Sequence, residues 1–289
     1  MNLKLFFAIF IALLVAGLVG IGGSQGGTLV GSMPVFLLCG ILAFAINWAV
    51  FIPANIYKTE KFYDLTGSLT YLTLITVACI FSAPLDLRSG LIASMVAIWA
   101  LRLGPFLFMR VRADGGDRRF DSIKTSPSRF FLTWTLQGTW VYLTIASALV
   151  IITNEKRLPF DIFAFVGIAL WIAGFLIEVI ADQQKLKFRR SIENKDRFIS
   201  SGIWAWSRHP NYFGEIVLWT GISIASLPVL TGWQWVTIIS PVFVAFLLIR
   251  ISGIPKLEAH AKMKWGHEKE YVEYCASVPI LIPKWPKQR

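Results

Sequence analysis

Apolar residues run along this chain in long blocks, broken by short polar stretches. A soluble core helix rarely sustains such length without charges, whereas an α-helix needs about 20 apolar residues to cross a bilayer. Eight blocks qualify, approximately 3–21, 33–53, 66–84, 91–109, 130–152, 160–181, 213–230 and 233–251. The pattern therefore predicts an all-α fold, a polytopic transmembrane helical bundle of about eight spans. The first block follows Lys4 as a signal peptide would. It is longer than a signal core, and Gly22, Gly23, Gln25 and Gly26 make a poor cleavage site, so it is expected to remain as a helix.

Between the blocks, "GIGGSQGGTLVGS" predicts a loop after the first helix. "GGDRRFDSIKTSPSR" predicts a polar connection ended by Pro127 just before the fifth. The longest polar segment, 182–210, opens with residues that continue the sixth helix out of the membrane. No internal repeat and no long linker is visible, so one bundle is expected. The segment from Leu257 to Tyr274 reads as a short amphipathic helix resting on headgroups, where Trp, Tyr and Lys are favoured.

Composition sharpens this reading. Of 289 residues, 55% are hydrophobic and only 16% charged, which excludes a soluble chain. The net charge of +11 is largely a topology signal, because Lys and Arg collect in alternate connections. Lys58 and Lys61 fall in one, Arg110, Arg112, Arg118, Arg119, Lys124 and Arg129 in another, and Lys185 through Arg208 in a third. The opposite side carries only Arg88, Lys156 and Arg157. Both termini are expected to be cytoplasmic, and no nucleic-acid partner is implied. Cys39, Cys79 and Cys275 are scattered, without disulfide or metal-site spacing, and no metal site is expected.

Charged groups at membrane depth are costly unless paired or facing a wet cavity. Arg102, in the middle of "MVAIWALRLGPFLFM", is the clearest. Glu178 and Asp182 lie four apart, Arg189 lies seven beyond Asp182, and all three project from one helix face. Arg250 ends the eighth span, and Asp64 either caps the third helix or takes part in chemistry. "WSRHPNYFGE" (206–215) gathers the most polar capacity. Pro210 suits the start of a helix, which sets Ser207, Arg208 and His209 beside an N-terminus that favours anions. Asn211 and Glu215 share a face, with Tyr212 beside them. A buried helix start satisfied by its own side chains is one account. An anionic or amide-bearing cofactor explains Arg and His together more economically.

The decapeptide, with "FYDLTGSLTY", "DRRFD", "WTLQGTWVYL" and "WGHEKEYVEYCASVPILIP", resembles the bacterial branch of the steroid 5-alpha-reductase superfamily, DUF1295-type membrane proteins. The decapeptide and tail alone are also similar to sterol C14 reductases and to isoprenylcysteine and phospholipid methyltransferases. The resemblance implies a seven-helix core holding NADPH in a cavity open to the cytosol, here with an extra N-terminal helix and loop at 1–30 and the reductase-like domain at 31–289. It implies cofactor binding by Arg102, Asp182 with Arg189, and Asn211, with Arg250 a further counterpart. Glu178, Arg208, His209, Tyr212 and Glu215 join this set from the readings above. It further implies that the tail covers the adenine end, which adds Glu258 and Tyr274. The Glu and Tyr that grip a steroid's ketone fall in register on Asp64 and Trp99. Indole cannot replace a phenol as proton donor, so Tyr63 or Tyr71 is expected to supply it.

The function expected is NADPH-dependent reduction of a conjugated carbon–carbon double bond in an apolar or lipid-like substrate, in a membrane expected to be the bacterial inner membrane. The alternative is methyl transfer from S-adenosylmethionine to a lipid or prenylated thiol. Transport ranks last, because paired broken helices are not apparent.

Overall fold

The computed structural model describes residues 3–285. Among the described residues, eight helical segments are long and apolar enough to cross a membrane. The chain forms two compact units, one of Met1–Phe165 with Ser223–Ser240, the other of Val166–Ile222 with Pro241–Arg289.

The first unit is built around α5 (Pro127–Thr153). Its run "VYLTIASALVIIT" is apolar or small on every side, and all residues from Val141 to Thr153 are buried. The surrounding helices are α1 (Leu3–Gly23), α2 (Val35–Ile56), α3 (Tyr63–Phe81) and α4 (Leu87–Ala113). Because lipid offers no hydrophobic drive between helices, contact rests on small residues and hydroxyls. Gly40 shows how: a Cβ there would lie 2.7 Å from the ring of Tyr142, whose hydroxyl donates to the Phe36 carbonyl at 3.1 Å. Ser147 meets Ser223 at 2.7 Å and donates to the Thr237 carbonyl at 2.8 Å.

Three elements depart from the expected outline. The segment expected to be a plain loop folds into a two-residue hairpin, β1 (Leu29–Val30) with β2 (Met33–Pro34), pairing Leu29 with Pro34 and Val30 with Met33. Its turn uses Gly31 at φ 61°, a conformation open to glycine, and strands this short show no alternation to read. The eighth span is not one α-helix. It passes from a 3₁₀ segment (Gly232–Ile238) through α8 (Ile239–Phe246) into a π-helical turn (Leu247–Ile251) that carries Arg250. The tail forms two helices, α9 (Ile254–Trp265) and α10 (Lys269–Ser277), where one was expected, with Gly266 at the break.

The cations expected on the sparsely basic side are mostly neutralised where they stand. Arg88, 1% exposed, pairs with Asp161 at 2.8 Å, and Arg157 approaches Asp86 at 3.6 Å while donating to the Ser82 carbonyl at 2.8 Å.

The second unit pairs α6 (Ile162–Arg190) with α7 (Pro210–Ser226). Gly174 and Gly214 touch through their backbones, and Gly221 packs on the Gly167 carbonyl. On each helix the two glycines are seven residues apart, which is two turns. The repeated close approach fixes the register of everything beyond it.

Candidate functional site

Each unit carries its own cluster of polar groups. In the second unit, Gly214 lies against the backbone of Glu178, so the α6/α7 contact buries the acidic side chains next to it. Glu178 is 3% exposed, while Asp182, one turn on, and Glu215 are both buried. Asn211 and Tyr212 are half-buried at the start of α7. Arg189 is exposed, because seven residues carry it about 10 Å along the axis from Asp182. Arg250 is exposed as well.

The residues before α7 are knitted to the tail. Ser207 Oγ donates to the Leu281 carbonyl at 2.8 Å and accepts from His209 N at 3.1 Å. Arg208 N donates to the Pro279 carbonyl at 2.9 Å, and the Tyr274 hydroxyl to the Trp204 carbonyl at 2.7 Å. Glu258 of α9 grips both members of the Arg-His pair, Arg208 Nη1 at 2.5 Å and His209 Nε2 at 2.8 Å. His209 stacks on Tyr212 with ring centroids 5.6 Å apart. Burial pulls its imidazole below the ordinary range, against the opposing effect of the hydrogen bond it makes to Glu258. The neutral ring then donates from Nε2 and keeps Nδ1 as an acceptor. Nδ1 and Arg208 Nε are both buried with no hydrogen-bond partner among the described residues.

In the first unit, Asp64, Ser68, Tyr71, Trp99 and Gln137 line a narrow cleft with apolar side chains such as Leu103 and Val141. Its volume is ≈ 20 Å³, room for about one water molecule. A Cβ at Gly104 would lie 2.5 Å from Ser68, so glycine is what lets α4 come this close to α3. Tyr71 stands edge-on to Trp99, centroids 5.1 Å apart. Tyr63 is engaged elsewhere. Its hydroxyl donates to the Thr133 carbonyl at 3.0 Å and its ring packs against Phe120 and Trp134. Tyr71 is therefore the phenol that borders the cleft. Arg102, one turn beyond Trp99, is half-buried with its guanidinium 5.4 Å from the Phe106 ring centroid.

Sequence reasoning passed over Gln137, although a lone amide within an apolar span is the signal that singled out Arg102. It also passed over Glu60, which is 5% exposed and held by Lys124 Nζ at 2.8 Å and by the Asp117 N–H at 3.1 Å. Among the described residues no cluster could hold a metal ion.

Comparison with known proteins adds context. A family described as "Protein of unknown function (DUF1295)" matches residues 50–278. Proteins named 3-oxo-5-alpha-steroid 4-dehydrogenase 1 are 29% identical over 117 residues in Rattus norvegicus, 31% over 117 in Bos taurus and 30% over 118 in Macaca fascicularis. The match covers 40 to 41% of this chain and 40% of each relative. No solved structure matches.

Proposed function

The chain belongs to the DUF1295 family, and from that premise we propose that it is an integral membrane reductase that uses NADPH to saturate a carbon–carbon double bond conjugated to a carbonyl in a lipid- or steroid-like substrate. Similarity to the steroid dehydrogenases supports the reaction class. The observation that carries the reading is the buried polar end of the second unit, where Glu178, Asp182, His209 and Glu215 are collected in an otherwise lipid-like setting. Buried groups of this kind mark functional sites.

The residues fit a nicotinamide dinucleotide. His209 Nδ1 needs a donor, which a carboxamide N–H or ribose hydroxyl provides, and Arg208 Nε needs an acceptor. Three buried carboxylic side chains repel phosphate, so they suit the ribose hydroxyls and the carboxamide. The phosphates belong with exposed arginines, whose forks match phosphate oxygens. Arg189 and Arg250 are such groups. Arg102 is assigned to the cofactor by the resemblance. When bound, NADPH supplies a hydride. The protonated Asp64 carboxyl and the Tyr71 hydroxyl donate to the substrate's carbonyl oxygen and polarise it as charge develops there. Admission of a substrate requires the walls of the cleft to part. The Lys and Arg asymmetry supports cytoplasmic termini.

The buried carboxylic groups also suit a cation, which keeps methyl transfer from S-adenosylmethionine as a second reading. Titrating the purified chain with NADPH, NADP⁺ and S-adenosylmethionine separates them. Saturable binding of NADPH with no competition from S-adenosylmethionine is expected; the reverse preference overturns the reductase reading.

A further inference from the structure

Gln137 of α5 is 2% exposed. Its Nε2 donates to the Tyr63 carbonyl at 2.8 Å. Only the NH₂ end of an amide can donate to a carbonyl, so this bond fixes the group's orientation and leaves Oε1 as its second end. Gly67 permits the reach, since a Cβ there would stand 2.7 Å from Nε2. Oε1 is buried and meets no donor among the described residues, an uncommon condition for a buried carbonyl. The same side chain lines the cleft that contains Asp64. Asp64 polarises a carbonyl oxygen only as the protonated acid, which donates. The cleft thus pairs a donor, Asp64, with an acceptor, Gln137 Oε1, oriented by the bond to the Tyr63 carbonyl.

We propose that Gln137 is a specificity-determining residue, whose Oε1 accepts a hydrogen bond from an O–H or N–H group of an apolar ligand seated beside Asp64. The inference rests on reading this cleft as the substrate's seat and deepens it: the substrate class is a hydrophobic carbonyl compound with a hydrogen-bond donor close to the carbonyl. A buried polar group built to pair with a ligand hydroxyl rejects the analogue that lacks it, because pairing fails on the protein side.

The test uses the full chain in lipid nanodiscs and two probes, an alkylated cyclohexenone with a hydroxyl on the carbon next to the carbonyl, and its methyl ether. Dissociation constants are read from tryptophan quenching, Trp99 and Trp140 lining the cleft. The wild-type chain is expected to bind the alcohol about tenfold tighter or more. Gln137→Met is expected to bring the two probes within about twofold of each other by removing the acceptor. Gly67→Ala serves as a second variant, since its methyl displaces only the flexible end of Gln137; it is expected to reduce the preference without removing the residue. Equal affinities in the wild type, an undiminished preference in both variants, or no saturable binding of either probe overturns the proposal. Loss of NADPH binding or turnover with the probe preference intact would sink the reductase reading and leave Gln137's role standing.

Discussion

Gly174 and Gly214 meet backbone to backbone, and a Cβ built on either would lie 2.5 Å from the other's carbonyl oxygen. Neither carbonyl is a flexible side-chain end, so a methyl group forces the helices apart. Gly214→Ala is expected to cost about 1–3 kcal/mol through overpacking, read from reversible unfolding in mixed micelles. Gly17, with nothing within 4 Å of its Cβ position, is the control. Gly17→Ala is expected to be neutral or slightly stabilising. Equal effects of the two changes would remove the basis for treating the glycine contact as what holds Glu178 and Glu215.

His209 gives a pH dependence of definite sign. Burial depresses its pKa in the folded state while Glu258 resists the shift. Above the ordinary imidazole value of about 6.5, the ring is neutral folded and unfolded, and its contribution to stability is fully present. As pH falls below that value the unfolded chain takes up the proton first, so stability declines until the folded ring protonates too. Melting curves between about pH 8 and 5 should show this decline, and His209→Gln should flatten it. An unchanged slope in the variant would show that the acid sensitivity lies elsewhere.

Much of the architecture is legible in the sequence, because crossing a membrane demands apolar length and length shows in one dimension. The eight spans follow from it, and the sixth helix continues through the polar extension as far as Arg190. What stays hidden depends on contacts between distant segments. Nothing in the sequence pairs Glu258 with Arg208 and His209, since the partners are 50 and 49 residues apart. The choice between Tyr63 and Tyr71 is equally invisible until packing turns one hydroxyl to the Thr133 carbonyl and the other ring toward Trp99. The π-helical turn has no marker either, because apart from Arg250 its residues are as apolar as those of the α-helix before it.

Glu60 ties the polar connection 115–126 to the turn just before α3. Burial raises its pKa, but hydrogen bonds from Lys124 and the Asp117 N–H outweigh this and hold it below the usual range. The ionised form therefore stabilises the fold above the unfolded carboxylate value of about 4.3, and that stabilisation is lost as pH falls through the lowered folded value. Lys124→Met leaves the carboxylate with the Asp117 N–H but without its cation, and because Lys124 is itself partly exposed the expected cost is about 1–3 kcal/mol. Glu60→Gln combined with Lys124→Met should recover part of the loss, because no buried charge is then left unpaired. Calorimetry on the wild type, Lys124→Met, Glu60→Gln alone and the double variant measures this coupling. Additive losses would mean the two groups do not act as a pair.

Asp64 and Arg102 should fail in different ways, and the contrast tests the proposed division of labour. Asp64 borders the cleft and is assigned to the substrate's carbonyl. Asp64→Ala is then expected to lower enone turnover by about 100-fold or more while NADPH affinity stays within about twofold. Tyr71→Phe removes one hydroxyl from the same cleft and should produce a smaller loss of the same kind. Arg102→Ala and Asn211→Ala are expected to abolish NADPH binding, because a charge-assisted phosphate contact or an amide contact to the cofactor is removed. Their melting temperatures should stay near wild type, since Arg102 is half-buried over Phe106 and Asn211 half-buried at a helix start. Nucleotide titration, steady-state turnover and thermal melting on the four variants together decide the matter. An Asp64→Ala protein that turns over normally, or an Arg102→Ala protein that binds NADPH like the wild type, would each remove one half of the mechanism.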